Sequence, residues 1–373
     1  MTEIVSAFGY SVSLTVVLIV AALVIGLALA VMFWLTVGLS IYRSIEDTRR
    51  ARVRDELQEQ LLEGTFDPDF DWETWVVGLS GVERDVVESL LDEYLRELDG
   101  QNVERLRELG DALGIADRSK RRLERGGEYE RLYALTWLTL LERPENLHAA
   151  EFSPRTQRER AAVARLRYES NDFENPREGI SLLLEGARSQ FTVFGQDTLY
   201  RIGTEDPEAL LDVAERNYAT WPEPLLVQVL VVCRHLAAGV TTEDLSWLTA
   251  ALEADNEAVR EAAALALGNV GWRKDVRSDL FLDRLVADPS PRVRGAIYRM
   301  LARWSDQQAL DTLLRALENE FDPRTRLLGT EALGSKRDQL PEERATALGD
   351  AWTWSHEHAK YDRTARNPGG VRG

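Results

Sequence analysis

The sequence predicts an all-α protein in which a single transmembrane helix is followed by an α-α superhelical solenoid of about seven repeats. Three observations predict it. There is one long uncharged apolar run near the N-terminus, helical periodicity with turn signals through the remainder, and a set of apolar offsets that recurs toward the C-terminus.

No charged side chain lies between Glu3 and Arg43, and Val12 to Ile41 is almost wholly apolar. About 20 such residues cross a bilayer as a helix, so the run suffices for one span. A secretory signal peptide would open with basic residues, and none precedes the run; Ala28-Leu29-Ala30 mimics a cleavage site but sits in mid-run. Arg43, Arg49, Arg50, Arg52 and Arg54 crowd the C-terminal flank, which by the positive-inside rule places the N-terminus outside and the rest of the chain in the cytoplasm. Within the span Ala22, Gly26 and Ala30 form a small-residue stripe of the kind that admits a second helix. Trp34 suits a membrane boundary. Residues 43–64 are rich in helix formers and continue the span as a charged juxtamembrane helix that stops at Gly64.

Beyond Gly64 no alternating β pattern occurs. The clearest signal is internal repetition. Val259, Ala262, Ala263, Ala266 and Leu267 have spacing i, i+3, i+4, i+7, i+8, one face of a helix. The same offsets return as Val293, Ala296, Ile297, Met300, Leu301 and as Thr325, Leu328, Gly329, Ala332, Leu333. Each anchor is followed by arginine (Arg260, Arg294, Arg326) and preceded by a turn rich in Asp, Asn or Pro, which suits a helix start. Weaker copies have anchors near Leu226, Phe191, Glu159 and Glu130, so anchors recur every 29 to 35 residues, the period of one helical hairpin. Candidate first helices lie between them, among them Glu243 to Ala254 and Gln307 to Glu318, and Pro341 to Trp354 supplies the last helix of the array. Residues 1–42 are thus the N-terminal tail and span, 43–64 the juxtamembrane helix, 65–114 a helical cap in which Trp72 and Trp75 pack, 115–354 the repeat array with Trp137 in its core, and 355–373 a disordered tail.

The segments ADNEAVREAAALALG, ADPSPRVRGAIYRMLA and FDPRTRLLGTEALG resemble the second helix of HEAT repeats, particularly the short HEAT-like type also found in phycobilisome lyases. That resemblance implies a helical scaffold and says little about activity. It also implies that Arg260, Arg294 and Arg326 are structural, each pairing with an acidic residue of an inter-helix turn or a neighbouring repeat; a row of anion-binding side chains is the alternative.

The 63 Asp and Glu outweigh 45 Lys and Arg, for a net charge of −18, which disfavours nucleic acid backbones and anionic lipid as general partners. Only four of the basic residues, Lys120, Lys274, Lys336 and Lys360, are lysines. Acidity with scarce lysine resembles proteins of salt-accumulating archaea; a GC-rich genome would also favour arginine. Arg118, Lys120, Arg121, Arg122 and Arg125 form a basic cluster that reads either as a solvated helix face or as a patch docking on headgroups or an acidic partner.

Cys233 is the one cysteine and lies in an apolar run, so a buried thiol is expected and an intrachain disulfide is excluded. His356 and His358 form a His-x-His pair without further obvious ligands, His148 and His235 are isolated, and no phosphate-binding glycine loop occurs. No catalytic, cofactor or metal site is expected. The function this favours is a non-enzymatic, membrane-anchored cytoplasmic adaptor for a protein partner. HEAT-bearing proteins with one N-terminal anchor resemble helpers of envelope membrane complexes such as glycosyltransferases. Two other readings stay open: a HEAT-like lyase or metal-dependent enzyme, and a structural homodimer joined through the Ala22, Gly26, Ala30 stripe.

Overall fold

The computed structural model describes residues 4–7, 10–98, 100–236, 245–278, 280–334, 336, 340 and 342–355. They fall into two compact units, Met1–Ile115 and Ala116–Gly373. In the first, β1 (Ile4–Ala7) and β2 (Tyr10–Ser13) pair antiparallel with Ala7 opposite Tyr10. The apolar pattern assigned Val12 and Ser13 to the span. They belong instead to β2, whose Tyr-Ser-Val-Ser alternation has the period of a strand. Helix α1 (Leu14–Phe66) then runs unbroken for 53 residues. Its stretch Leu18–Val37 is long and apolar enough to cross a membrane, 20 residues or roughly 30 Å of helix. The large apolar side chains described there, Trp34 among them, are exposed, and the Thr36 hydroxyl is satisfied by donating to Met32 O at 2.8 Å.

Gly64 does not stop this helix, contrary to the sequence reading. A Cβ at Gly64 would lie 2.7 Å from the Trp72 ring and 2.9 Å from Phe70, so the glycine makes room for two aromatic rings against α1. The last turns of α1 are therefore core rather than free stalk, with Leu57 and Leu61 buried. They pack with α2 (Trp72–Gly78), α3 (Gly81–Glu97) and α4 (Gln101–Ala112). Asp71 caps α2, and a Ser80/Glu83 capping box starts α3. Val87, Leu90, Leu91, Leu106 and Leu109 fill the centre, each burial contributing about 1.5–3 kcal/mol. Trp72 is buried, and Trp75 donates from Nε1 to Gln60 at 3.0 Å.

Helix α5 (Ile115–Arg125) leads into the second unit. The chain continues through α6 (Glu128–Leu141), α7 (Glu145–Ala149), α8 (Gln157–Glu169), α9 (Pro176–Leu184), α10 (Val193–Glu205), α11 (Pro207–Asn217) and α12 (Glu223–Cys233). There follow α13 (Ser246–Ala251), α14 (Glu257–Val270), α15 (Lys274–Ser278), α16 (Leu282–Leu285), α17 (Pro291–Trp304), α18 (Gln307–Glu318), α19 (Pro323–Gly334) and α20 (Glu342–Thr346). The seven second helices α6, α8, α10, α12, α14, α17 and α19 pack side by side in that order, and the other helices alternate with them along the chain. This is an α-α solenoid, in which each helical pair buries its apolar face against its neighbours. One apolar core runs unbroken from Ala161 to Trp352.

The recurring offsets mark that core. Val259, Ala262, Ala263, Ala266 and Leu267 are all buried, as are Val293, Ala296, Ile297, Met300 and Leu301. At the third copy Leu328 and Ala332 are only half-buried. Small residues set the spacing of the stack: a Cβ at Gly268 would come within 3.0 Å of Met300 Cα. Polar links cross between repeats. The Gln228 amide accepts from Phe191 N–H at 2.7 Å and donates to Phe191 O at 3.0 Å, and Trp304 donates to Leu267 O at 3.1 Å. Cys233 is buried and its thiol pKa is pushed up to about 12 by desolvation.

Two helix expectations need revision. The helix expected over 243–254 is helical over Ser246–Ala251, with 243 and 244 outside the described residues; Leu245, Leu248 and Leu252 are buried as the pattern requires. The single helix expected over 341–354 is two pieces, α20 and residues 350–355, because Gly349 adopts φ +65 between them.

Candidate functional site

The repeat arginines come first, because they decide how much positive charge is left for a ligand. Arg260 donates from Nε and Nη2 to Asp288, at 2.8 and 3.1 Å, and from Nη1 to Ala254 O and Asp255 O. Arg294 repeats this one repeat later: Nε and Nη2 donate to Glu320, both at 2.8 Å, and Nη1 to Asp288 O and Pro289 O. Each guanidinium thus ties its own turn's carbonyls to the acid of the next turn. That acid in turn accepts a main-chain N–H, from Ser290 onto Asp288 and from Asp322 onto Glu320. Fork-to-carboxylate bonds of this kind are charge-assisted and orientation-specific. They raise the pKa of both arginines, the hydrogen bond to the acid being the main cause.

At Glu320 burial raises the pKa, but hydrogen bonds from Arg294, Asp322 N–H and the Tyr298 hydroxyl (2.7 Å) outweigh it and hold the carboxyl at about 2. Arg326 is different: Nη2 donates to Leu348 O at 3.3 Å, and its buried Nε has no partner among the described residues. Sequence reasoning missed a member of the set, Arg131. It donates from Nε to the fully buried Glu159 at 2.7 Å and from Nη1 to Gly126 O at 2.8 Å, the same clamp at the start of the array. The signal was present, since Arg131 follows the anchor Glu130 as the other three follow theirs.

With these arginines committed to turns, the candidate ligand surface lies elsewhere, on the face made by the last four second helices. A groove of about 460 Å³ crosses it, within the range of ligand pockets. Leu265, Met300, Ala302, Leu328 and Ala332 give it apolar walls, and Arg234, Arg299, Arg303, Lys336 and Glu331 its charge. None of these charged residues was singled out from sequence. Arg299 and Arg303 lie on α17, Glu331 on α19, and Arg234 and Lys336 just past the ends of α12 and α19, so no local pattern groups them.

The other sequence candidates are not brought into this groove. In the basic cluster on α5, Arg121 and Arg125 are exposed, whereas Arg122 lies over the Tyr133 ring at 5.0 Å and is partly used in packing. Gly26 and Ala30 are exposed on α1, nothing lies within 4 Å of a Cβ built at Gly26, and the Ala22 side chain is outside the described set. His148 is exposed, 3.8 Å from Asp172, and His235 meets the Tyr200 ring edge-on at 5.9 Å. His356 and His358 lie outside the described residues. Among the described residues no three His, Cys, Asp or Glu side chains are grouped as a metal site requires.

No curated protein matches the chain. Residues 278–357 match the family described as HEAT repeats. The match covers α16 to α20, the stretch in which the Arg294–Glu320 clamp and much of the groove reside. HEAT repeats are helical scaffolds for protein interaction, and this part of the chain has that architecture.

Proposed function

We propose that the protein is a membrane-anchored adaptor whose repeat unit holds a protein partner on the face formed by its second helices. The observation that carries this is the continuous stack of seven second helices, built on a HEAT-type repeat and bearing a groove, with the polar chemistry of its turns directed inward to the clamps. A repeat stack offers broad, rigid surface at little ordering cost on binding. In this reading the apolar stretch of α1 is the anchor, and the arginines that follow it support a cytoplasmic position for the repeats. The acidity and scarce lysine fit a salt-rich interior. An envelope membrane complex is the kind of partner such an anchor would favour.

Two measurements test this. Purification of the full chain in mild detergent at native salt should recover a stoichiometric protein partner; recovery of none above background would sink the adaptor. A C-terminal tag should be protected from protease in intact cells and cleaved after lysis, and cleavage in intact cells would reverse the topology.

A further inference from the structure

We infer that the groove across α12, α14, α17 and α19 is a docking site for an acidic peptide segment whose carboxylates alternate with apolar side chains. The inference rests on the adaptor reading and adds the chemistry of what is bound.

Helix α17 carries Arg292, Arg294, Arg299 and Arg303 and no acidic residue, in a chain of net charge −18. Two of the four are neutralised from outside: Arg294 by Glu320, and Arg292 by Glu261 of α14 at 2.7 Å. The other two line the groove, with Arg234 from the end of α12 and Lys336 just past α19. Among the described residues none of these four cations forms an ion pair. Glu331 is the one acid in the lining, so the groove has an excess of positive charge.

One of the four is held in place. Arg303 Nη1 donates to Asn269 Oδ1 at 2.9 Å, while Asn269 Nδ2 is fixed by donating to Leu236 O at 2.5 Å. That relay orients a guanidinium without consuming its charge, which suits bidentate capture of a planar carboxylate. Between the cations lie Leu265, Met300, Ala302, Leu328 and Ala332, which give an anion nothing and an apolar side chain a seat. An inorganic anion would leave that floor unused. A nucleic acid longer than the groove would extend over a protein of strongly negative charge. A peptide matches both halves of the lining.

The test uses the full chain in mild detergent and fluorescein-labelled synthetic peptides of alternating Glu and Leu, Gln and Leu, or Lys and Leu, read by fluorescence anisotropy. The Glu/Leu peptide should bind about tenfold or more tighter than the Gln/Leu peptide, and the Lys/Leu peptide weakest. Arg299→Glu with Arg303→Glu should abolish the preference with unchanged melting. Should that pair fail to fold, Arg234→Gln, at an exposed helix end, should still weaken binding a few-fold. Equal affinity for the Glu/Leu and Gln/Leu peptides, or binding indifferent to all these substitutions, would overturn the inference. So would displacement by inorganic phosphate or phosphatidylglycerol micelles as effective as by unlabelled Glu/Leu peptide. If the native partner stays bound to the doubly reversed protein, the adaptor stands and the groove assignment falls. If wild-type protein retains no partner, the adaptor fails while the peptide result still judges the groove.

Discussion

Replacing Glu320 with Gln probes the Arg294 clamp at its buried acid. The variant keeps side-chain size and one acceptor oxygen but removes the charge, leaving the Arg294 guanidinium without its anion and Tyr298 with a weaker acceptor. The magnitude follows from the carboxyl itself, held at about 2 against an ordinary 4.5. That gap corresponds to at most about 3 kcal/mol of folded-state stabilisation of the ionised form. Because the folded value is depressed, this contribution is complete above pH 4.5 and is lost as pH falls from 4.5 through about 2. Repeat arrays open locally, so the assay is hydrogen exchange of amides in α17 to α19, expressed as protection over intrinsic rates. Glu320→Gln at pH 7 should lower protection there by about 100-fold, and wild type should shed the same increment on acidification to pH 2 while the variant does not. Adding Arg294→Met to the variant should restore much of the loss, since removing both partners spares the cost of an orphaned buried charge. Protection within twofold of wild type for Glu320→Gln, or parallel acid profiles of the two proteins, would refute the clamp as a source of stability.

Arg131→Gln should destabilise the start of the array by about 2–4 kcal/mol, because it strands the fully buried Glu159; hydrogen exchange confined to α6 and α8 would show it, and global protection unchanged there would argue otherwise. Arg326→Gln should cost less than about 1 kcal/mol in thermal melting, having no carboxylate partner among the described residues, and a loss as large as that of Arg294→Gln would contradict the geometry. Gly329→Ala should lower stability by about 1–3 kcal/mol by denaturant titration, since its Cβ would sit 2.5 Å from Leu317 and 2.9 Å from Tyr298. Cys233, with its thiol raised to about 12 and buried, should resist a thiol reagent at pH 8 in native protein and react at once in denaturant.

What could be read in advance was whatever repeats within one helix. The i, i+3, i+4, i+7, i+8 face announces itself in Val259 to Leu267 because an apolar stripe must appear wherever one helix lies on others, and the structure buries that stripe. Glycines misled because a single residue type serves different ends. Gly64 was read as a stop but relieves Phe70 and Trp72, a fact fixed by rings that pack from beyond the helix, while Gly349 breaks an expected helix through its own φ. The groove was illegible for a different reason. Its cations are spread from Arg234 to Lys336, and only the lateral order of α12, α14, α17 and α19 makes neighbours of them.

The placement of arginine separates stability from recognition in this chain. A guanidinium near a turn can be neutralised by an acid one repeat away, and Arg131, Arg260 and Arg294 all are, each spaced 26 to 28 residues from its partner. The acids that do this lie in turns or at helix starts, and they hold the next second helix as well as the arginine. Arg299 and Arg303 stand further along α17, on the side where Leu265 and Asn269 of α14 and Leu328 and Glu331 of α19 are their counterparts. In a protein with many more acids than bases, leaving such a pair unneutralised gains nothing in folding. A partner that brings its own carboxylates would gain from it, and so the same helix both clamps the array and presents the charge a ligand would meet.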